Sequence, residues 1–136
     1  MILVDTSIWI DFLIDPARVP GAQHRIKNFA TCGPIVQEIL QGFSAGPAYP
    51  RFLERLLTFP RLSDPLPVDL YVQGASIYRE GRGKGYTIRS PYDCLIAAIA
   101  IETKIPVWHR DRDFQYITRF TPLETVTLAN SGNAPA

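Results

Sequence analysis

The chain has 136 residues, of which 46% are hydrophobic and 20% are charged, and its formal net charge is +1. This length is usual for one domain with its own hydrophobic core. The nearly balanced charge argues against a protein that coats DNA unspecifically, although it leaves room for a nuclease with a local basic surface.

The sequence also indicates where the protein works. It contains no run of about 18 apolar residues free of charges, so no membrane span is expected. Asp5 and Asp11 interrupt any secretory signal pattern at the N-terminus. Cys32 and Cys94 have no metal-like spacing and lie among apolar residues, which favours reduced, buried thiols. A cytoplasmic protein is the expectation.

Apolar runs and turn residues predict alternating strands and helices. Strands are expected at 1–4, 61–63, 105–108 and 124–128. Helices are expected over 6–14, 22–29, 34–42, 50–59, 67–80 and 112–118, and a strongly apolar helix is expected to begin at Ser90 and Pro91. This alternation indicates an α/β fold with a small central parallel sheet covered by helices on both faces. One domain over 1–128 is predicted, followed by a polar tail over 129–136.

Four acidic residues stand where this fold would bring them together. Asp5 follows the first strand, Asp111 follows the strand at 105–108, Asp93 opens the apolar helix, and Glu38 lies in the helix near Pro34. The carboxyl ends of parallel strands line the ligand crevice of such a sheet. Four carboxylates there repel one another without a cation, and hard divalent ions such as Mg²⁺ take oxygen ligands. The sequence therefore predicts a metal-dependent enzyme acting on phosphates.

Each acid also has a plainer structural interpretation. Asp5 and Asp93 are well placed to cap helices, Glu38 fits a solvated boundary position, and Asp111 fits a loop acid paired with an arginine. Against this, an ionised Asp5 directly after an apolar strand is costly to desolvate unless something positive meets it. The helix after Asp93 is apolar all round, so it must be buried and its start is expected to reach an interior cleft.

Other polar residues are candidates to assist. The Ser7 hydroxyl lies two residues beyond Asp5 and can point back towards it, whereas His109 fits a packing or hydrogen-bonding role better than that of a base. Basic residues beside an acidic centre suit a polyanion whose scissile phosphate lies on the metal. The candidates for binding the phosphate backbone of such a polyanion are Arg82, Lys84, Arg89, Arg110 and Arg112.

These segments together resemble the PIN-domain family, and within it the VapC-type toxins of prokaryotic toxin–antitoxin pairs. The segments that carry the resemblance are Ile2-Leu3-Val4-Asp5-Thr6-Ser7, the Glu38 helix, Ser90-Pro91-Tyr92-Asp93-Cys94-Leu95-Ile96-Ala97 and Asp111-Arg112-Asp113-Phe114. The resemblance covers roughly residues 1–128. No single motif is specific, but four in this order and at this spacing are.

The resemblance implies a PIN-like fold and an endoribonuclease whose acids bind Mg²⁺ or Mn²⁺. Carried over by position, those acids are Asp5, Glu38, Asp93 and Asp111. Ser7 would support them and Asp113 is a possible fifth acid. The family also implies an RNA substrate such as tRNA or rRNA, a homodimer, and a VapB-like antitoxin whose C-terminal segment blocks the cleft. At His109 the chain departs from relatives, which often carry a small hydroxyl residue there.

Alternative functions stay open from the sequence. One is a PIN nuclease that is not a toxin, acting on structured DNA or as a housekeeping ribonuclease. Another is a PIN module that only binds a partner, against which all four acids argue. A phosphatase with an Asp-x-Asp nucleophile fits less well, because Ser7 stands where its second aspartate would be. An apolar face at Phe52, Leu53, Leu56 and Leu57 is predicted to be either core or part of an antitoxin groove.

Overall fold

The computed structural model describes residues 1–44 and 46–127, so the predicted tail at 129–136 lies outside the described residues. Its centre is a four-stranded sheet in the order β2-β1-β3-β4. The strands are β1 (Ile2–Val4), β2 (Phe29–Ala30), β3 (Val107–His109) and β4 (Thr125–Thr127). All three neighbouring pairs run parallel. The predicted parallel α/β sheet is therefore confirmed.

Seven α-helices connect and cover these strands within the described residues. They are α1 (Thr6–Ile14), α2 (Ala22–Arg25), α3 (Gly33–Gln41), α4 (Tyr49–Leu56), α5 (Val68–Gly83), α6 (Pro91–Thr103) and α7 (Arg112–Ile117). Over the same residues, no helix is both long enough and apolar enough to cross a bilayer.

Both faces of the sheet are buried. Successive strand residues point to opposite faces, and Leu3, Val4, Val107 and Trp108 are all fully inaccessible to solvent. Such continuous apolar strands are typical of a parallel sheet covered on both sides. The interior therefore surrounds β1 and β3, and polar side chains at their carboxyl ends stand at the rim of the core.

Backbone hydrogen bonds align the ends of these two central strands. The Leu3 N–H donates to the Pro106 carbonyl at 2.9 Å, and the Asp5 N–H donates to the Trp108 carbonyl at 2.9 Å. Val4 pairs with Trp108 in the parallel register. Asp5 consequently leaves β1 at the same level as the end of β3, from which the chain proceeds to Asp111.

The predicted helix over 22–29 is wrong in its second half. α2 ends at Arg25, a single 3₁₀ turn covers Ile26–Asn28, and β2 follows at once. A strand of two residues is too short to show any periodicity. Tertiary packing determines it instead, because the buried Phe29 ring meets Trp9 edge-on with centroids 5.4 Å apart and Trp108 at 5.8 Å.

Three other boundaries differ from expectation. The predicted strand at 61–63 is only one parallel bridge between Thr31 and Arg61. β3 begins at residue 107 rather than 105, since Pro106 has no N–H to donate to a ladder. α5 continues to Gly83, beyond the end of the helix predicted over 67–80, and the chain turns at Gly85 with φ of 86°.

Candidate active site

Asp5 is the first acid of the site and stands at the N-cap position of α1. Its side chain is buried, with 5% of the residue exposed. Its Oδ2 accepts a hydrogen bond from the Ser7 hydroxyl at 2.9 Å, as the spacing of these two residues predicted. Burial raises the pKa of Asp5, whereas the Ser7 hydroxyl and the nearby amides lower it, and the charge of Asp111 raises it further.

Asp93, Asp111 and Asp113 form the tightest group of acids among the described residues. One carboxylate oxygen from each lies within 4.8 Å of the others. Asp93 comes from the first turn of α6, while Asp111 and Asp113 come from the N-cap and first turn of α7. Asp93 and Asp113 are buried and Asp111 is exposed. The group is thus open to solvent on one side only.

Asp113 has a structural role as well as a place in this group. Its Oδ2 accepts the backbone N–H groups of Arg89 and Ser90, each at 3.1 Å. The capping box expected from Ser90 and Asp93 does not form, because the Ser90 side chain makes no cap hydrogen bond. Asp113 satisfies the backbone at the entrance to α6 instead, which leaves the Asp93 carboxylate facing the other acids.

Glu38 extends the acidic group from α3. It is half-buried, and its Oε1 accepts a hydrogen bond from the Thr6 hydroxyl at 3.1 Å. Its pKa is raised by burial and, more weakly, by the charges of Asp5 and Asp111. Glu38 and Asp5 therefore lie near enough to Asp111 to interact electrostatically, although neither belongs to the tightest group of three.

The electrostatics of the site are dominated by desolvation and by like charges. Burial, a hydrogen bond to the Asp113 carboxyl and the charges of Asp5 and Asp111 raise the pKa of Asp93 to about 9. At neutral pH and without a cation, Asp93 consequently holds a proton. Burial is the largest cause of this shift, and a positive charge bound beside Asp93 would favour its ionised form instead.

The donor set fits a hard divalent ion. All the converging ligand atoms are carboxylate oxygens, which Mg²⁺ and Mn²⁺ prefer over the nitrogen and sulfur ligands typical of zinc sites. Three of the five acids are also oriented by other groups: Ser7 holds Asp5, Thr6 holds Glu38, and two amides hold Asp113. Such outer contacts are characteristic of metal ligands.

His109 packs and orients rather than acting as a base. It is 1% exposed, and its ring lies against Phe114 with centroids 5.0 Å apart. Its Nδ1 accepts the Asp111 N–H at 3.0 Å, so that nitrogen carries no proton. Burial lowers the pKa of His109 to about 4, which keeps the imidazole neutral at physiological pH. Its contribution is to hold the backbone of Asp111.

The five residues predicted to bind the phosphate backbone of a polyanion have different surroundings in the structure. Arg89 and Arg112 line a pocket that Asp113 also lines. Arg110 instead forms an ion pair with Asp11 of α1, which neutralises its charge. The Arg82 guanidinium lies over the Tyr78 ring, 5.8 Å from its centroid. Lys84 is the C-cap residue of α5.

Arg119 is a basic residue outside the five that were predicted to bind the substrate. It lines the same pocket as Arg89 and Arg112. It lies just beyond the end of α7, and the fold places it at the pocket that Asp113 also lines.

The predicted apolar face at α4 is partly core. Leu56 is 2% exposed, and the Phe52 ring stacks on Phe43 with centroids 4.5 Å apart. Leu57, by contrast, is 43% exposed. The core alternative therefore holds for Leu56 and Phe52.

A comparison with protein families identifies the class of domain to which this small parallel α/β sheet, with acids at its carboxyl edge, belongs. A sequence model of the PIN domain family matches residues 2–119. The chain therefore belongs to the PIN-domain family, as its motifs predicted.

A relative is similar to this chain in sequence, and solved structures are similar to it in fold. Ribonuclease VapC11 of Mycobacterium tuberculosis (strain ATCC 25618 / H37Rv) is 37% identical over 135 residues, covering 94% of this chain and 99% of that protein. The VapBC-1 structure from nontypeable Haemophilus influenzae gives a TM-score of 0.70 at 17% identity, over 95% of this chain and 99% of the other. The VapBC-5 structure from Mycobacterium tuberculosis gives a TM-score of 0.64 at 22% identity, over 92% of this chain and 96% of the other.

Proposed function

We propose that this protein is an Mg²⁺- or Mn²⁺-dependent endoribonuclease that acts as the toxin of a VapBC-type toxin–antitoxin pair in the cytoplasm. The observation that carries the proposal is the convergence of Asp93, Asp111 and Asp113 within 4.8 Å at the carboxyl edge of the sheet. Membership of the PIN family and the likeness to a protein named as a ribonuclease support it.

In this proposal the acids hold the ion and the substrate's scissile phosphate approaches from the exposed side, at Asp111. Asp5, Glu38, Asp93 and Asp111 are the proposed ligands, and Asp113 is a fifth acid that also holds the α6 entrance. A bound divalent ion supplies Lewis-acid chemistry for phosphodiester hydrolysis. Ser7 keeps the Asp5 carboxylate in one orientation, and Thr6 does the same for Glu38.

The test of this activity is Asp5→Asn, because it removes a charge while keeping the side-chain shape. We expect loss of RNA cleavage with an unchanged fold, measured on purified tRNA and ribosomal RNA with Mn²⁺. Asp69→Asn, at an exposed acid in the first turn of α5, is the matched control and should cleave normally. Parallel reactions on single- and double-stranded DNA separate a ribonuclease from a DNA nuclease. Near-wild-type cleavage by Asp5→Asn would remove Asp5 from the site.

A VapB-like antitoxin is the proposed partner. The similar VapBC-5 structure is described as a member of a family of toxin–antitoxin systems, and an enzyme that cuts cellular RNA needs restraint in its own host. α1 exposes Ile10, Leu13 and Ile14, which are 42%, 40% and 61% accessible. Exposed apolar side chains on the helix that begins at Asp5 suit an inhibitor segment with apolar anchors and a basic residue.

Expression in the host tests this partnership. The wild-type chain alone should arrest growth, Asp5→Asn should not, and co-expression of the small protein encoded beside it should restore growth through a stable complex. Harmless expression of the wild-type chain without that neighbour would contradict the toxin assignment, while leaving a housekeeping ribonuclease in place.

We further infer a homodimer. On α5, Val68, Tyr71 and Val72 are 72%, 53% and 60% exposed, and beside them lies an apolar groove between α5 and α6. Contiguous apolar surface of this kind marks protein contacts. Light scattering after gel filtration should give twice the chain mass of 15.3 kDa, and Val72→Asp should shift the protein towards the monomer.

A further inference from the structure

A polar pocket of about 520 Å³ opens beside the acidic group. Asp113 forms one wall, so the pocket and the acids share a residue. Three arginines, Arg89, Arg112 and Arg119, line the rest together with two tyrosines, Tyr86 and Tyr116. Whatever occupies the pocket therefore lies next to the proposed metal ligands.

The pocket carries positive charge that the described part of the chain does not neutralise. Arg89, Arg112 and Arg119 are exposed, and within that part none of them forms an ion pair. The Asp113 Oδ2 accepts backbone N–H groups of Arg89 and Ser90 rather than a guanidinium. Three converging guanidinium groups without a carboxylate partner are suited to an anion, and to phosphate above all.

Aromatic rings hold the Arg119 guanidinium in place. Its central carbon lies 5.7 Å from the Tyr86 ring centroid and 5.6 Å from that of Tyr116. The two tyrosine rings stack on each other at 5.3 Å, and Tyr86 also stacks on Phe120 at 5.8 Å. A planar cation fixed over aromatic rings loses less conformational freedom on binding a ligand than a free side chain does.

We propose that this pocket binds the nucleotide of single-stranded RNA that adjoins the scissile phosphate, which deepens the proposed function and rests on it. The backbone phosphate of that nucleotide contacts the guanidinium groups of Arg89, Arg112 and Arg119. Its base stacks on the Arg119 plane, as unpaired bases do on arginine and aromatic side chains. Tyr86 and Tyr116 are positioning residues that act through Arg119.

RNA binding without cleavage tests the pocket. In the Asp5→Asn background with Mn²⁺, the affinity for a fluorescent 12-nucleotide single-stranded RNA is measured by anisotropy over a series of salt concentrations. Arg119→Gln should weaken binding about tenfold, and the slope of log affinity against log salt should fall by about 0.7, because one phosphate is no longer neutralised. Arg51→Gln removes the same charge from the exposed surface of α4 and should stay within about twofold of the parent.

The tyrosine role has its own readout in the cleaving enzyme. Tyr86→Leu removes the ring under Arg119 and should raise KM with a smaller effect on kcat, whereas Tyr86→Phe keeps the ring and should behave as wild type. Melting curves with and without Mn²⁺ verify that each variant is folded and still responds to metal.

The outcomes separate the pocket from the activity. If wild-type protein cleaves RNA while Arg119→Gln binds it with unchanged affinity and salt slope, the pocket assignment is overturned and the ribonuclease stands. If Arg119→Gln weakens only the complex with the antitoxin, the pocket belongs to a protein partner and the proposal is again overturned. Failure of the wild-type chain to bind or cleave any RNA would refute the proposed function itself.

Discussion

Substitutions of Asp113 can separate its structural role from its proposed role in metal binding. Its carboxylate accepts two backbone N–H groups, from Arg89 and Ser90, and the residue is 2% exposed. Asp113→Ala leaves both donors without this acceptor. A hydrogen bond to a charged group contributes about 1.5–3 kcal/mol. Loss of the Asp113 carboxylate also lowers the pKa of Asp93, and the smaller cost of keeping Asp93 protonated offsets part of the loss. We expect a net destabilisation of roughly 2–4 kcal/mol, a combination of those two effects.

Asp113→Asn provides the comparison that isolates the charge. The amide oxygen can still accept both N–H groups, while the charge beside Asp93 disappears. In EDTA at pH 7.5 the asparagine variant should melt at or above the wild-type temperature, and the alanine variant about 5–15 °C below it. Both should show a smaller Mn²⁺-induced rise in Tm. Equal melting temperatures for the two variants in EDTA would refute the bridging role of the carboxylate.

Three further predictions concern charge, orientation and packing. Because the folded-state pKa of Asp93 is raised to about 9, stability without metal is highest below the pKa of about 4 that an unfolded aspartate has and is lost as pH rises towards 9. In EDTA, Tm should fall from pH 5 to 6.5 to 8, and the rise in Tm caused by Mn²⁺ should be largest at pH 8. A Tm in EDTA that does not change with pH would contradict the proton on Asp93. Ser7→Ala frees the Asp5 carboxylate and should lower kcat about tenfold with little change in Tm, so unaltered kinetics would remove its orienting role. Gly81→Ala places a Cβ 2.9 Å from Ile88 and should cost about 1–3 kcal/mol, whereas Gly83→Ala meets open space and should be neutral or stabilising by urea titration.

The sequence predicts the strand ends, and with them most of the site, because apolar runs followed by acids are local patterns. Asp5 and Asp111 follow such runs, and the structure places both at the carboxyl edge of the sheet. The all-apolar composition of α6 likewise predicts the burial that Asp93 shows. These inferences need only hydrophobic periodicity and the geometry of a parallel sheet.

Other features depend on contacts between distant residues, which no local pattern contains. β2 exists because Phe29 packs on Trp9 and Trp108, far away in the sequence. Asp113 joins the tightest acid group because α7 starts beside the entrance to α6. The only local sign of this in the sequence is its position two residues after Asp111. Arg110 also could not be told apart from the other basic residues, because its ion-pair partner Asp11 is 99 positions earlier in the chain.

The order of the sheet has a consequence for the nascent chain. β3 is a central strand that pairs with β1 on one side and β4 on the other, yet it is synthesised after residue 106. At about 5–20 residues per second, a ribosome needs several seconds or more to reach it. Until then Asp5 and Glu38 are present without Asp111 and Asp113. A partly translated molecule therefore lacks the complete acidic site until Asp111 and Asp113 have been synthesised.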